Sequence, residues 1–146
     1  MWIISYAKSF TELIVYQKAK AVSKTAFQFS KTFPKEEMYS LTDQMRRAAR
    51  SVGAQIAEAW GKRRYEKHFV SKLTDADAEQ METQHWVSEA LDCGYLAAAD
   101  AAQLNCGLEE IGRMLNSMME KADSFCGSPE GVLRETVIDY FTVADD

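Results

Sequence analysis

Two groups of residues in this chain have types and spacing suited to chemistry, and the first is Glu82-Thr83-Gln84-His85. A carboxylate and an imidazole three residues apart share one helix face. In di-iron carboxylate bundles, two such Glu-x-x-His pairs and two further glutamates hold the metals. The second pair is missing here: the other histidine, His68, has Tyr65 three residues before it. His85 therefore reads as a surface histidine, no metal or cofactor is expected, and a di-metal carboxylate bundle is the weaker alternative. Nucleophilic chemistry has no better footing. None of Cys93, Cys106, Cys126 or the serines lies in a nucleophile motif, and no glycine-rich phosphate loop is present. Neither an enzyme nor a small-molecule substrate is expected.

The second group is basic. Gln44-Met45-Arg46-Arg47-Ala48-Ala49-Arg50 puts Arg46 and Arg50 on one helix face, with Arg47 about 100° round. Lys62, Arg63, Arg64 and Lys67 follow, interleaved with Trp60, Tyr65, His68 and Phe69. Cations beside stackable rings are what a single-stranded RNA site uses, phosphates for affinity and rings for bases. Trp60 and Phe69 equally suit the core that closes the end of a helical bundle.

These groups must be positioned by helices. At 146 residues the chain is one domain, long enough to bury a core without disulfides. Two prolines and seven glycines leave little room for a loop-rich β architecture. Val15, Ala19, Val22, Ala26, Phe29 and Phe33 step at helical spacing until Pro34. Met38, Leu41, Met45, Ala48, Val52, Ile56 and Ala59 form a second stripe, closed by Gly61. The third is Phe69, Leu73, Ala76, Gln80, Gln84, Val87 and Leu91, ending at Gly94 in a C-cap position. Leu104, Leu108, Ile111, Leu115, Met118, Ala122 and Phe125 complete a fourth helix that runs through Gly107 and Gly112. The expected fold is all-α: an antiparallel up-down-up-down four-helix bundle over residues 1–126, with a C-terminal tail over 127–146. Residues 131–143 of that tail suit a short helix or docking on a neighbour. Gln80 and Gln84, with flanking Gln17 and Glu58, are expected to share an interhelical hydrogen-bond network in the core.

The net charge of −5 conceals a split: residues 1–72 hold 14 Lys/Arg against 6 Asp/Glu, and residues 73–146 hold 3 against 16. Either the first half meets an anionic partner or the two halves pair. If helices two and three are antiparallel and turn near 62–63, facing residue numbers sum to about 125. Arg50 then lies opposite Asp75, and Arg46 opposite Glu79, within the chain or across a subunit boundary. Three cysteines without a C-x-x-C pair read as free thiols of a reducing compartment. No stretch approaches the ~18 apolar residues of a membrane span, and Met1-Trp2-Ile3-Ile4 has no signal-peptide layout. The expected location is the cytoplasm.

At Leu13–Ala19, Phe33-Pro34-Lys35-Glu36-Glu37, the Gln44–Ser51 run, Ile56-Ala57-Glu58, Glu82-Thr83-Gln84 and Gly94-Tyr95, the chain resembles the 23S rRNA-intervening sequence proteins, also called S23-type proteins. The resemblance spans about Phe10 to Met118. Gln55 and Ala59 depart from the usual Asn-Ile-Ala-Glu-Gly, and Trp60–Tyr65 replaces a shorter Gly-Arg turn. The resemblance implies a four-helix bundle assembling as a homopentameric barrel, of poorly defined biochemical role. More distantly, the chain is similar in fold to the accessory variability proteins of diversity-generating retroelements, basic pentamers that bind a reverse transcriptase and nucleic acid. Two partner readings stay open. One is a non-enzymatic oligomeric scaffold that docks a partner through charged faces. The other is an RNA- or ribonucleoprotein-binding module that uses Arg46, Arg47, Arg50, Lys62, Arg63, Arg64 and Lys67.

Overall fold

The computed structural model describes residues 7–126; the tail over 127–146 lies outside the described residues. The described residues are helical, with no strand: α1 (Ile14–Ser30), α2 (Leu41–Gly61), α3 (Glu66–Asp92), α4 (Ala98–Glu120) and a single turn, α5 (Ala122–Phe125). Consecutive helices pack side by side and α4 returns to α1, which closes a four-helix bundle.

Each helix ends for a local reason. Helix α1 ends at Ser30, three residues short of the expected Phe33, which stays buried outside the helix, and Pro34 then bars any continuation. The Glu37 carboxylate accepts from the Leu41 amide at 3.2 Å and from the Ser40 hydroxyl at 2.9 Å, placing negative charge at the α2 N-terminus. Gly94 ends α3 at φ 75°, the left-handed conformation that glycine adopts without Cβ strain. The Tyr95 amide then reaches back to the Ala90 carbonyl at 2.9 Å. The Tyr95 ring packs on Phe33 at 5.6 Å, and its hydroxyl faces Glu37. Two of the segments that carried the family resemblance, Phe33–Glu37 and Gly94-Tyr95, thus meet at one end of the bundle as its joinery.

The buried apolar residues form two clusters. One, around Val15, Ile56, Phe69, Leu73, Leu115 and Phe125, fills the end where α2 turns into α3. The other, around Ala26, Met45, Val87 and Leu104, fills the opposite end. Gln80 is buried, yet its network runs along α3 alone: Gln80 donates to Asp77 at 2.9 Å and Gln84 donates to Gln80 at 2.7 Å. The expected interhelical network is corrected on this point. Gln17 is exposed and reaches the Thr11 carbonyl, and exposed Glu58 pairs with Lys72. Gly112 lets α4 approach this ladder, since a Cβ there would sit 2.8 Å from the Gln80 amide nitrogen. Gly107 does the same toward α1, 2.8 Å from Val22.

Three stripe positions also move. Met38 lies before α2 and is exposed. On α3 the buried residues after Gln80 are Thr83, Val87 and Ala90, so Gln84 and Leu91 fall outside the core. Thr83 can be buried because its hydroxyl donates to the Glu79 carbonyl at 2.8 Å and needs no partner helix. The fourth helix breaks at Lys121, although Ala122 and Phe125 continue its buried stripe.

Candidate functional site

The basic run does not face α3. Arg46 turns toward α1, where its Nε donates to the buried Ser30 hydroxyl at 2.7 Å and its guanidinium lies 4.6 Å from the Phe27 ring centre. Arg50 stands over the same ring at 5.5 Å, and Lys31 approaches it at 5.0 Å. Three cations around one aromatic ring use its negative face where carboxylates are missing. Arg47 points elsewhere and pairs with Asp43 one turn back at 3.1 Å.

Within one chain neither Arg46–Glu79 nor Arg50–Asp75 forms. Asp75 lies 3.7 Å from Lys72, and Glu79 has Glu82 as its charged neighbour. Burial, with the Glu82 hydrogen bond and charge behind it, holds the Glu79 carboxyl above the usual range. The facing-number rule located the right helices but not the right sides of them. A helix presents different residues to its two neighbours, and 46 and 50 belong to the α1 side. The α2–α3 seam is held instead by Lys72, which reaches Glu58 at 3.1 Å and Gln55 at 3.4 Å. The hydrogen bond to Glu58 raises its ammonium above the ordinary lysine value.

Beside Arg50 the α1–α2 seam opens into a groove of about 520 Å³. Its floor is Ala19, Ala49, Gly53 and Ala57, all small. Tyr16 and Phe27 form walls, and Lys20, Lys24 and Arg50 rim it. Among the described residues, Lys20, Lys24, Lys31, Arg46 and Arg50 have no carboxylate at ion-pair distance. The α1 contribution was missed from the sequence. Lys20, Lys24, Phe27 and Lys31 step by 4-3-4 beside the core stripe, a signal as regular as the one that located the core.

The second basic group lies at the α2–α3 turn. Arg63 is committed there: its guanidinium stacks 3.6 Å from the Trp60 ring centre and its Nε donates to the Trp60 carbonyl at 2.7 Å. Burial pulls it below the ordinary guanidinium value, and the neighbouring Cys126 thiol is pushed up, also by burial first. Trp60 and Phe69 are buried in the core. Lys62, Arg64 and Lys67 are exposed, beside the exposed Tyr65 ring, which lies 5.3 Å from His68.

His85 is exposed against Trp86, their rings 4.8 Å apart, and is remote in sequence and fold from His68 at the start of α3. Among the described residues no three His, Cys, Asp or Glu side chains gather as a metal cluster. Cys93, Cys106 and Cys126 are free. No described helix is long and apolar enough to cross a membrane.

The helical bundle has a counterpart among solved structures. A crystal structure of a protein of unknown function from the S23 ribosomal protein family of Bacteroides thetaiotaomicron superposes with a TM-score of 0.65. It is 23% identical, over 73% of this chain and 99% of that one, a likeness of fold alone. None of the curated proteins matches the chain. The family described as 23S rRNA-intervening sequence protein matches residues 11–117, so the chain belongs to that family.

Proposed function

We propose that the protein is a non-enzymatic scaffold that self-associates head to tail, the cationic α1–α2 half of one copy meeting the acidic α3–α4 half of the next. The supporting observation is the segregation of charge within one bundle. Helices α1 and α2 carry six Lys/Arg against two Asp/Glu, whereas α3 and α4 carry three against eleven. The cations around Phe27 and the groove lack carboxylate partners among the described residues. Two different, complementary surfaces make a heterologous contact, which forms a ring where the rotation between copies closes and an open filament where it does not. Five copies is the number that the family resemblance implies. Light scattering and sedimentation from about 50 mM to about 1 M salt test the reading. A ring at low salt that loosens at high salt, and that Lys24→Glu with Lys31→Glu weakens, is expected; a monomer throughout refutes it.

One feature favours a second reading. Lys62, Arg64 and Lys67, all exposed, flank the exposed Tyr65 and His68 along the chain. This is a small stacking platform with cations at hand, suited to single-stranded RNA. Filter binding to unstructured RNA over a salt series checks it. Affinity that falls steeply with salt and drops on Tyr65→Ala supports an RNA site at the turn, and no binding at the lowest salt removes it.

A further inference from the structure

The α1–α2 groove is an apolar slot with a cationic rim, and the acidic half of the same bundle carries a side chain of matching chemistry. We propose that Met81, on α3 of a second copy, seats in this groove, with Glu82 and Glu89 of that copy meeting Lys24 and Lys31. This contact belongs to the head-to-tail assembly proposed above and depends on it. Met81 is 57% exposed. Among the described residues, the other exposed large apolar side chains, Met38, Tyr39, Tyr65 and Leu91, lie at the ends of the bundle, whereas Met81 stands in the middle of a helix. Around it, residues 73–92 hold six carboxylates and no lysine or arginine. Ala78, Glu82, His85 and Glu89 are exposed on the same side of α3. The groove has a floor of Ala19, Ala49 and Gly53 between the rings of Tyr16 and Phe27. An unbranched thioether suits such a slot, because it adapts to irregular gaps and packs favourably on aromatic rings.

Charge, direction and height all favour this pairing. Lys24 and Lys31 are seven residues apart, as are Glu82 and Glu89, so each pair spans about 10.5 Å along one helix face. Among the described residues, none of the four has an opposite charge at ion-pair distance. In an up-down-up-down bundle α1 and α3 point the same way. A ring whose axis follows the bundle keeps every copy in one direction and at one height. Helix α3 of one copy then runs parallel to α1 of the next, which puts the two charge pairs in the same order. The levels within one chain agree. Through α4, Gly107 faces Val22 and Gly112 faces Gln80; through α2, Arg50 stands over Phe27 and Lys72 reaches Gln55. By both routes Lys24 comes level with the middle of α3, where Met81 and Glu82 lie.

The test is a charge exchange in the full chain, read by sedimentation. Lys24→Glu/Lys31→Glu and Glu82→Lys/Glu89→Lys should each raise the concentration of half-assembly by about tenfold or more. The four changes together should bring it back to within about threefold of the parent, a rescue expected only of residues that meet across the contact. Met81→Asp should weaken assembly about as much as either charge reversal, and Met81→Leu should not. All five positions are exposed in the single chain, so thermal melts should stay close to that of the parent. Photo-cross-linking locates the seat, with benzoylphenylalanine in place of Ala54, an exposed groove residue. Light and nitrogen-15-labelled protein, mixed at high salt and returned to low salt, separate contacts between chains from those within one. Cross-links between chains to residues 78–85 are expected. A parent that assembles, with no rescue by the four changes and with cross-links outside α3, overturns the seat and leaves the head-to-tail reading standing. A parent that is monomeric at every salt overturns both.

Discussion

Helix α2 has two seams, and they are built on different principles. Toward α3 it is closed by Ile56, Ala59, Phe69, Leu73 and Ala76, with Lys72 bridging to Glu58 across the rim. Toward α1 it presents Ala49, Gly53 and Ala57 to Tyr16 and Phe27, and the seam stays open as a groove with cations stacked on rings. Here the bulky rings of α1 hold the backbones apart: a Cβ on Gly53 would still find the Tyr16 ring only at 3.6 Å, ordinary contact. A closed seam serves stability, whereas an open, charged one is available for recognition.

The contrast is broken most directly by adding the same bulk to both seams. Ala59, fully buried, has no space for a larger side chain, so Ala59→Leu should cost about 1–3 kcal/mol. Ala57→Leu fills the groove and should stay within about 0.5 kcal/mol. Urea denaturation midpoints measure both, and equal losses would mean that the groove is not open space.

A smaller effect is expected at the cation-lined side. Arg46→Ala removes a hydrogen bond to buried Ser30 and a ring contact with Phe27, together worth about 1–2 kcal/mol. Arg46→Lys should recover only part of this, because an ammonium cannot both stack and donate from a planar fork. Full recovery would reduce Arg46 to a simple positive charge.

The smallest effect falls on the acidic helix. The Glu79 carboxyl is raised by burial and by Glu82, so its folded state holds a proton more tightly than the unfolded state does. Its contribution to stability is present at low pH and is lost as pH rises through the raised value. Glu79→Gln should therefore stabilise at pH 7 by about 0.2–0.5 kcal/mol, the scale of an exposed like-charge pair. The gain should vanish below the ordinary carboxylate range. Thermal melts at the two pH values decide it, and a loss at pH 7 would show that Glu79 has a cationic partner after all.

Much of the bundle was legible in the sequence because helical periodicity is a property of neighbours along the chain. Most of the α2 and α4 stripes and the cap at Gly94 follow from spacing and backbone sterics alone. The α3 stripe drifted after Gln80 because Thr83 and Gln84 are both polar. What separates them is a bond from Thr83 to a backbone carbonyl of its own helix, and residue type does not reveal that. The candidate site was legible in its arginines but not in its location. Arg46 and Arg50 are the right residues, while Lys20, Lys24 and Phe27, one helix earlier, complete their setting.

By itself, then, the sequence determined four helices, most of their core faces and the opposite charge of the two halves. Each of these is set by local sterics, by the 3.6-residue repeat or by composition. Only the tertiary structure decided which neighbour each charged side chain meets. An exposed arginine on α2 is within reach of either α1 or α3. The choice rests on how far each helix is rotated about its axis, which the packing of all four together sets. That rotation turned Arg46 and Arg50 from the carboxylates of α3 to the ring of Phe27, and left the groove beside them open.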